Sequence, residues 1–129
     1  MTADKVWIVD DDRSIRWVLE KALMQEGLEA TTFEDAQTLL NKLAKDKPHA
    51  IVTDIRMPGI DGLTLLTKIR MEHPDLPVIV MTAHSDLDSA VSSYQGGAFE
   101  YLPKPFDVDD AINLVKRAIA HHHEQQKTS

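Results

Sequence analysis

The sequence predicts an α/β protein built on a doubly wound, five-stranded parallel sheet with helices on both faces. Three observations carry that expectation. Short apolar runs recur along the chain, each ending in polar or acidic residues. Between them lie stretches whose apolar residues are spaced three and four apart, the period of one helix face. The two patterns alternate five times, and successive β-then-α units imply parallel strands joined by right-handed crossovers, with helices covering both faces.

Each element has its own signal. Val6-Trp7-Ile8-Val9 reads as a buried strand running into Asp10-Asp11-Asp12. From Ser14, the residues Ile15, Val18, Leu19, Ala22 and Leu23 mark one helix face until Gly27 stops it. Glu29 to Phe33 reads as the second strand, and Ala36, Leu39, Leu40 and Leu43 repeat the helical spacing before the break at Pro48. His49-Ala50-Ile51-Val52-Thr53 ends in Asp54, and Met57-Pro58-Gly59 leads to a helix from Asp61 to Glu72. Pro77 to Met81 forms a strand ending in Thr82, followed by a helix over Asp86 to Gln95. Glu100-Tyr101-Leu102-Pro103 runs into Lys104-Pro105. The last helix starts at Asp107, a good N-cap, with Val108, Ala111, Ile112, Val115 and Ile119 on its inner face. Its acids come first and its bases later, as the helix dipole favours. The segment after Ala120 has no apolar face and is expected to fray, so residues 1–121 form one domain and 122–129 a helix end or linker start.

Composition narrows the function. The 129 residues carry 14 Lys+Arg against 21 Asp+Glu, a formal net charge of −7, which lacks the cationic footprint of a nucleic-acid binder. There is no cysteine, which excludes disulfide scaffolds, zinc-thiolate sites and thiol nucleophiles. The apolar runs fall far short of the ~20 residues that span a bilayer, and Met1-Thr2-Ala3-Asp4-Lys5 is no signal peptide, so a cytoplasmic location is expected.

In an open parallel sheet, ligands bind at the carboxyl ends of the strands. Those ends carry Asp10, Asp11, Asp12, Asp54, Thr82 and Lys104. Crowded carboxylates repel and need a cation, and an all-oxygen set points to Mg²⁺. A carboxylate can also attack phosphorus, in a reaction that needs mainly positioning and charge neutralisation. Taken singly, these residues have ordinary readings. Asp12 or Ser14 caps the first helix, Thr82 is a turn residue and Lys104 a solvated charge. Their collection on one rim is what indicates a site.

Over residues 4 to about 121 the chain resembles the receiver domain of bacterial two-component response regulators. The resemblance rests on Val9-Asp10-Asp11 with Arg16, Thr53-Asp54-Ile55-Arg56-Met57-Pro58-Gly59 with Asp61-Gly62, Met81-Thr82-Ala83, and Lys104-Pro105-Phe106. Within the family it is most similar to receivers of activators of nitrogen-regulated transcription, on Ile15 to Glu20, Asp54 to Gly59, Met81 to Asp88 and Gly97 to Asp107. The resemblance implies the flavodoxin-like strand order 2-1-3-4-5 and a cis Lys104–Pro105 bond. It implies that Asp54 accepts a phosphoryl group from a sensor histidine kinase, with Thr82 and Lys104 on the phosphoryl oxygens. Asp10, Asp11, Asp54 and the Arg56 carbonyl would hold Mg²⁺, with Asp12 a further ligand.

The same resemblance makes Tyr101 a switch aromatic, and it places Arg56 and His84 where they modulate hydrolysis. The helix at 85–95 carries Ser89, Ser92 and Ser93 and ends at Gly96-Gly97, so its propensity is low and it is expected to remodel on phosphorylation. Its switch residues are Ser85, Leu87, Val91 and Tyr94. Ile15 and Arg16 are expected kinase-docking contacts, and Trp17 falls off the apolar helix face. No P-loop and no helix-turn-helix remain to be assigned, so the ATPase and DNA-binding output domains that related activators carry are absent from this stretch. Dimerisation on phosphorylation is a further expectation. His121-His122-His123 could catch a metal, but reads more readily as a solvated helix end.

Two other readings compete. Asp10-Asp11-Asp12-Arg13-Ser14 also reads as D-x-D-x-S, similar to haloacid-dehalogenase-type phosphatases, with Asp10 as nucleophile and Asp12 as acid/base. That reading leaves Asp54 unexplained and lacks the family's paired acids after the fourth strand. A flavin-binding flavodoxin fails because an acidic cluster, in place of a Thr/Ser/Gly-rich loop, would repel the phosphate.

Overall fold

A computed structural model describes residues 3–83 and 96–128. Five parallel strands, β1 (Lys5–Val9), β2 (Glu29–Phe33), β3 (Ala50–Asp54), β4 (Val78–Thr82) and β5 (Glu100–Pro103), form one sheet in the order β2-β1-β3-β4-β5. The described helices are α1 (Arg13–Gln25), α2 (Ala36–Leu43), α3 (Gly62–Glu72) and α4 (Val108–Thr128). The helix expected at 85–95 lies outside the described residues, as do His84, Ser85, Leu87, Val91 and Tyr94.

Strand alternation divides the core in two. Trp7, Val9, Ile51, Val78 and Val80 face one side and pack with Leu39 of α2 and Leu65, Leu66 and Ile69 of α3. Val6, Ile8, Val52, Ile79 and Met81 face the other, against Leu19 and Leu23 of α1 and Val115 and Ala118 of α4. Both faces are therefore dry, which is why β1, β3 and β4 read as continuous apolar runs.

Aspartates start three of the helices. Asp12, Asp35 and Asp61 each accept a backbone N–H from the first turn, those of Ser14, Thr38 and Thr64, at 2.8 Å. Gly27, at φ 82°, closes α1 in a Schellman motif, in which the Leu28 N–H reaches the Leu23 carbonyl and the Gly27 N–H that of Met24.

The end of α4 departs from expectation. The helix continues to Thr128 instead of fraying after Ala120. His122 is buried, its Nδ1 3.3 Å from the Asp75 carbonyl and its ring edge-on to His49. The anchoring groups belong to distant loops, so the local pattern carried no sign of them.

Candidate functional site

The carboxyl ends of the strands bring the expected residues onto one rim. Asp10 follows β1 and its N–H extends the ladder to the Phe33 carbonyl at 3.3 Å. Its carboxylate is fully buried; Oδ1 accepts the Asp12 N–H at 2.8 Å and Oδ2 lies 3.1 Å from Lys104 Nζ. Asp54 closes β3, and its Oδ1 accepts the Ile55 N–H at 2.9 Å and lies 3.3 Å from the same ammonium. Lys104 is carried in from β5. Its backbone N–H donates to the Thr82 carbonyl at 2.6 Å, and the Lys104–Pro105 bond is cis. Thr82 is buried at the end of β4.

Electrostatics follow from this packing. Burial pushes the Asp10 carboxyl up to about 6, against the pull of the Asp12 N–H and of Lys104. Burial also raises Asp54, again opposed chiefly by Lys104. For Lys104, burial disfavours the charge, but Asp10 and Asp54 outweigh it and hold the ammonium above its ordinary value. Carboxylate oxygens of Asp10, Asp11 and Asp54 lie within 4.8 Å of one another. Three carboxylates against one ammonium leave a local excess of negative charge, and the donor set is all oxygen. That chemistry fits a hard divalent cation.

The three consecutive acids separate by role. Asp10 and Asp11 join Asp54, whereas Asp12 is left out of that group. Its side chain caps α1, so the expectation of Asp12 as a further metal ligand is corrected: the first turn of the helix claims it. The alternative in which Asp10 is a nucleophile fares no better. Asp10 is fully buried with both oxygens engaged, and its acid/base partner would be the capping Asp12.

Arg56 is exposed and borders, with Asp11 and Asp61, a cleft of about 480 Å³ beside the acids. Arg16, expected at the docking surface, has a side chain only 13% exposed. It turns inward because a buried carbonyl needs a donor: Nη1 donates to the Asp10 carbonyl at 2.6 Å, which braces the β1–α1 loop. Ile15 is half-buried and borders an apolar cleft of about 420 Å³ with Val18, Pro105 and Phe106. Trp17 is exposed. Tyr101 is half-buried on β5, beside a groove shared with α4.

Gly62 supports the site in a way the sequence reading did not identify. A Cβ there would sit 2.0 Å from the Asp54 carbonyl oxygen and 2.8 Å from Ile55 Cα. Its N–H donates to the Ile55 carbonyl at 2.8 Å. The start of α3 is thus pressed against the residue that carries the central carboxylate. The Asp61-Gly62 pair at a helix start was the available signal.

A doubly wound sheet in this strand order, with acids after β1 and β3 and a lysine after β5, defines a class. The chain belongs to the response regulator receiver domain family, whose model matches residues 6–116. It is 63% identical over 122 residues to the DNA-binding transcriptional regulator NtrC of Escherichia coli (strain K12), covering 95% of this chain and 26% of that protein. It is 43% identical over 115 residues to the C4-dicarboxylate transport transcriptional regulatory protein DctD of Pseudomonas aeruginosa, covering 89% of this chain and 25% of that protein. The chain therefore spans about a quarter of these curated relatives. Among solved structures, the apo receiver domain of nitrogen regulatory protein C superposes with a TM-score of 0.86 at 61% identity, covering 95% of this chain and 99% of that one. The BeF3-activated receiver domain of the same protein gives a TM-score of 0.81, covering 95% and 98%.

Proposed function

We propose that the chain is a phosphorylation-activated switch in which Asp54 accepts a phosphoryl group from a phosphohistidine of a sensor histidine kinase. The observation that carries this reading is the Lys104 ammonium, 3.1 Å from Asp10 and 3.3 Å from Asp54 on the acidic rim. Asp54 Oδ1 accepts the Ile55 N–H and lies beside Lys104, and Oδ2 attacks phosphorus as the bond to the donor imidazole breaks. Lys104 and the Thr82 hydroxyl then turn to the phosphoryl oxygens. Asp10, Asp11, Asp54 and the Arg56 carbonyl would hold Mg²⁺, which would supply positive charge to neutralise the incoming group.

The chain promotes only its own phosphorylation and slow dephosphorylation, and Arg56 and His84, each two residues past a site residue in the sequence, govern hydrolysis of the acyl phosphate. Drawing Thr82 toward the phosphoryl group pulls Tyr101 inward and remodels the helix at 85–95, through Ser85, Leu87, Val91 and Tyr94. Ile15 contributes to kinase docking beside the rim. Residues 1–121 act as the input unit and 122–129 lead toward the ATPase and DNA-binding domains of an NtrC-like activator of nitrogen-regulated transcription.

Intact mass and peptide mapping after incubation with Mg²⁺ and acetyl phosphate test the reading. A phosphoryl adduct on Asp54 that disappears in Asp54→Asn is expected. No adduct on Asp54, with phosphate-ester turnover lost in Asp10→Asn, would make the chain a phosphatase and overturn the proposal.

A further inference from the structure

The opposite end of the sheet gathers a second set of metal-binding side chains. Asp4 precedes β1, His49 precedes β3, and His122 and His123 lie on α4, so three separate segments meet where β1 and β3 begin. Asp4 Oδ1 lies 2.9 Å from His123 Nε2 and 3.7 Å from His49 Nε2. One donor atom from each of these three residues lies within 4.8 Å of the other two. Bonds of ~2.0–2.2 Å to imidazole nitrogen and carboxylate oxygen place the donors around a tetrahedral ion ~3.3 Å apart. The two observed separations from Asp4, 2.9 and 3.7 Å, bracket that value.

We propose that Asp4, His49 and His123 bind one transition-metal ion of the Zn²⁺ type at the amino-terminal edge of the sheet, remote from the acidic rim. The donor set decides the class of metal. Two imidazoles and one carboxylate suit Zn²⁺, whereas Mg²⁺ prefers oxygen and sheds water reluctantly, so the two ends of the sheet select different ions. The three residues are partly exposed, which lets water complete the coordination. His122 supports the site without ligating. Its Nδ1 faces the Asp75 carbonyl, and its ring packs against both His49 and His123, 5.5 and 6.0 Å away between centroids.

Binding carries a specific signature. His49 Nδ1 accepts the Lys5 N–H at 2.8 Å, which puts the proton of the neutral ring on Nε2. Coordination through Nε2 moves that proton to Nδ1 and breaks the bond to Lys5. The Lys5 amide, which does not touch the ion, therefore reports its arrival. The bound ion ties the last turns of α4 to the starts of β1 and β3.

The test is titration of the chain with Zn²⁺ in excess Mg²⁺, followed by calorimetry and by NMR of the histidine rings and backbone amides. One ion should bind this site with a Kd of about 10 μM or tighter. The His49 and His123 ring resonances and the Lys5 amide should shift together. Asp4→Ala and His123→Ala, both partly exposed and tolerable to the fold, should each weaken this site at least ~10-fold. Mg²⁺ affinity should not change, and His121→Ala should bind Zn²⁺ as the parent does. Unshifted His49 and His123 rings, or an affinity unchanged by His123→Ala, would overturn the proposal.

Discussion

Replacing Asp10 by Asn should stabilise the protein when divalent cations are removed, although it deletes a charge that contacts Lys104. The fully buried carboxyl is pushed from 3.8 to about 6, which corresponds to ~3 kcal/mol by which ionisation disfavours the folded state above pH 6. The sign follows from the direction of the shift. Below pH 3.8 the carboxyl is protonated in both states and nothing is lost; between 3.8 and about 6 the unfolded state ionises while the folded state resists, and above 6 the full cost is in place. Asn keeps an oxygen for the Asp12 N–H, and Lys104 keeps Asp54 as partner. Allowing for the lost charge-assisted bond to Lys104, the net gain at pH 7.5 in EDTA should be ~1–3 kcal/mol. It should shrink toward zero as pH falls to 4. Mg²⁺ should reverse the order, because an ion at 100 times its Kd stabilises the parent by ~2.7 kcal/mol and gives the variant little. Urea denaturation at both pH values, with EDTA and with Mg²⁺, measures all of this. A variant less stable than the parent at pH 7.5 in EDTA, or a gain independent of pH, would refute the reasoning.

Lys104→Met should have the opposite sign, leaving Asp10 and Asp54 without their shared cation and costing ~2–4 kcal/mol at pH 7.5 in EDTA. That cost should fall as the pH drops through 6 and Asp10 protonates, which the same denaturation series would show. Gly62→Ala should cost ~3 kcal/mol, because its Cβ would lie 2.0 Å from the Asp54 carbonyl oxygen and better helix propensity returns at most ~1 kcal/mol. A thermal melt of the variant no lower than the parent's would contradict this. Asp11→Asn and Asp12→Ala should separate the two roles of neighbouring acids. The first should weaken Mg²⁺ binding at least ~10-fold with little change in stability. The second should cost ~1 kcal/mol through the lost cap and leave Mg²⁺ affinity within about twofold, as read by fluorescence or calorimetric titration.

Much of the fold and of the acidic rim is legible in the order of the amino acids. Val6 to Val9 and Val78 to Met81 are buried on both faces, so their continuous apolar runs announce strands without an alternating pattern to interpret. Caps and stops are equally local, since Asp12, Asp35, Asp61 and Gly27 act on neighbours within a few residues. The rim is legible because parallel topology sends every strand's carboxyl end to the same side. What is not legible concerns direction and contact. Nothing in Asp10-Asp11-Asp12 tells which acid turns to the helix, and an arginine six residues beyond Asp10 carries no sign of facing inward.

Backbone propensity, apolar period and capping act over short stretches, so the five strands, the starts of the described helices and the residues brought to the carboxyl rim follow from local order alone. Only the tertiary structure decided which groups pair. The Lys104 ammonium meets Asp10 across 94 residues, Gly62 meets the carbonyl of Asp54, and His123 on α4 meets Asp4 across 119. Such contacts depend on how the layers stack to bury both sheet faces. A side chain's charge state and partners are set by whatever that stacking brings within a few ångströms.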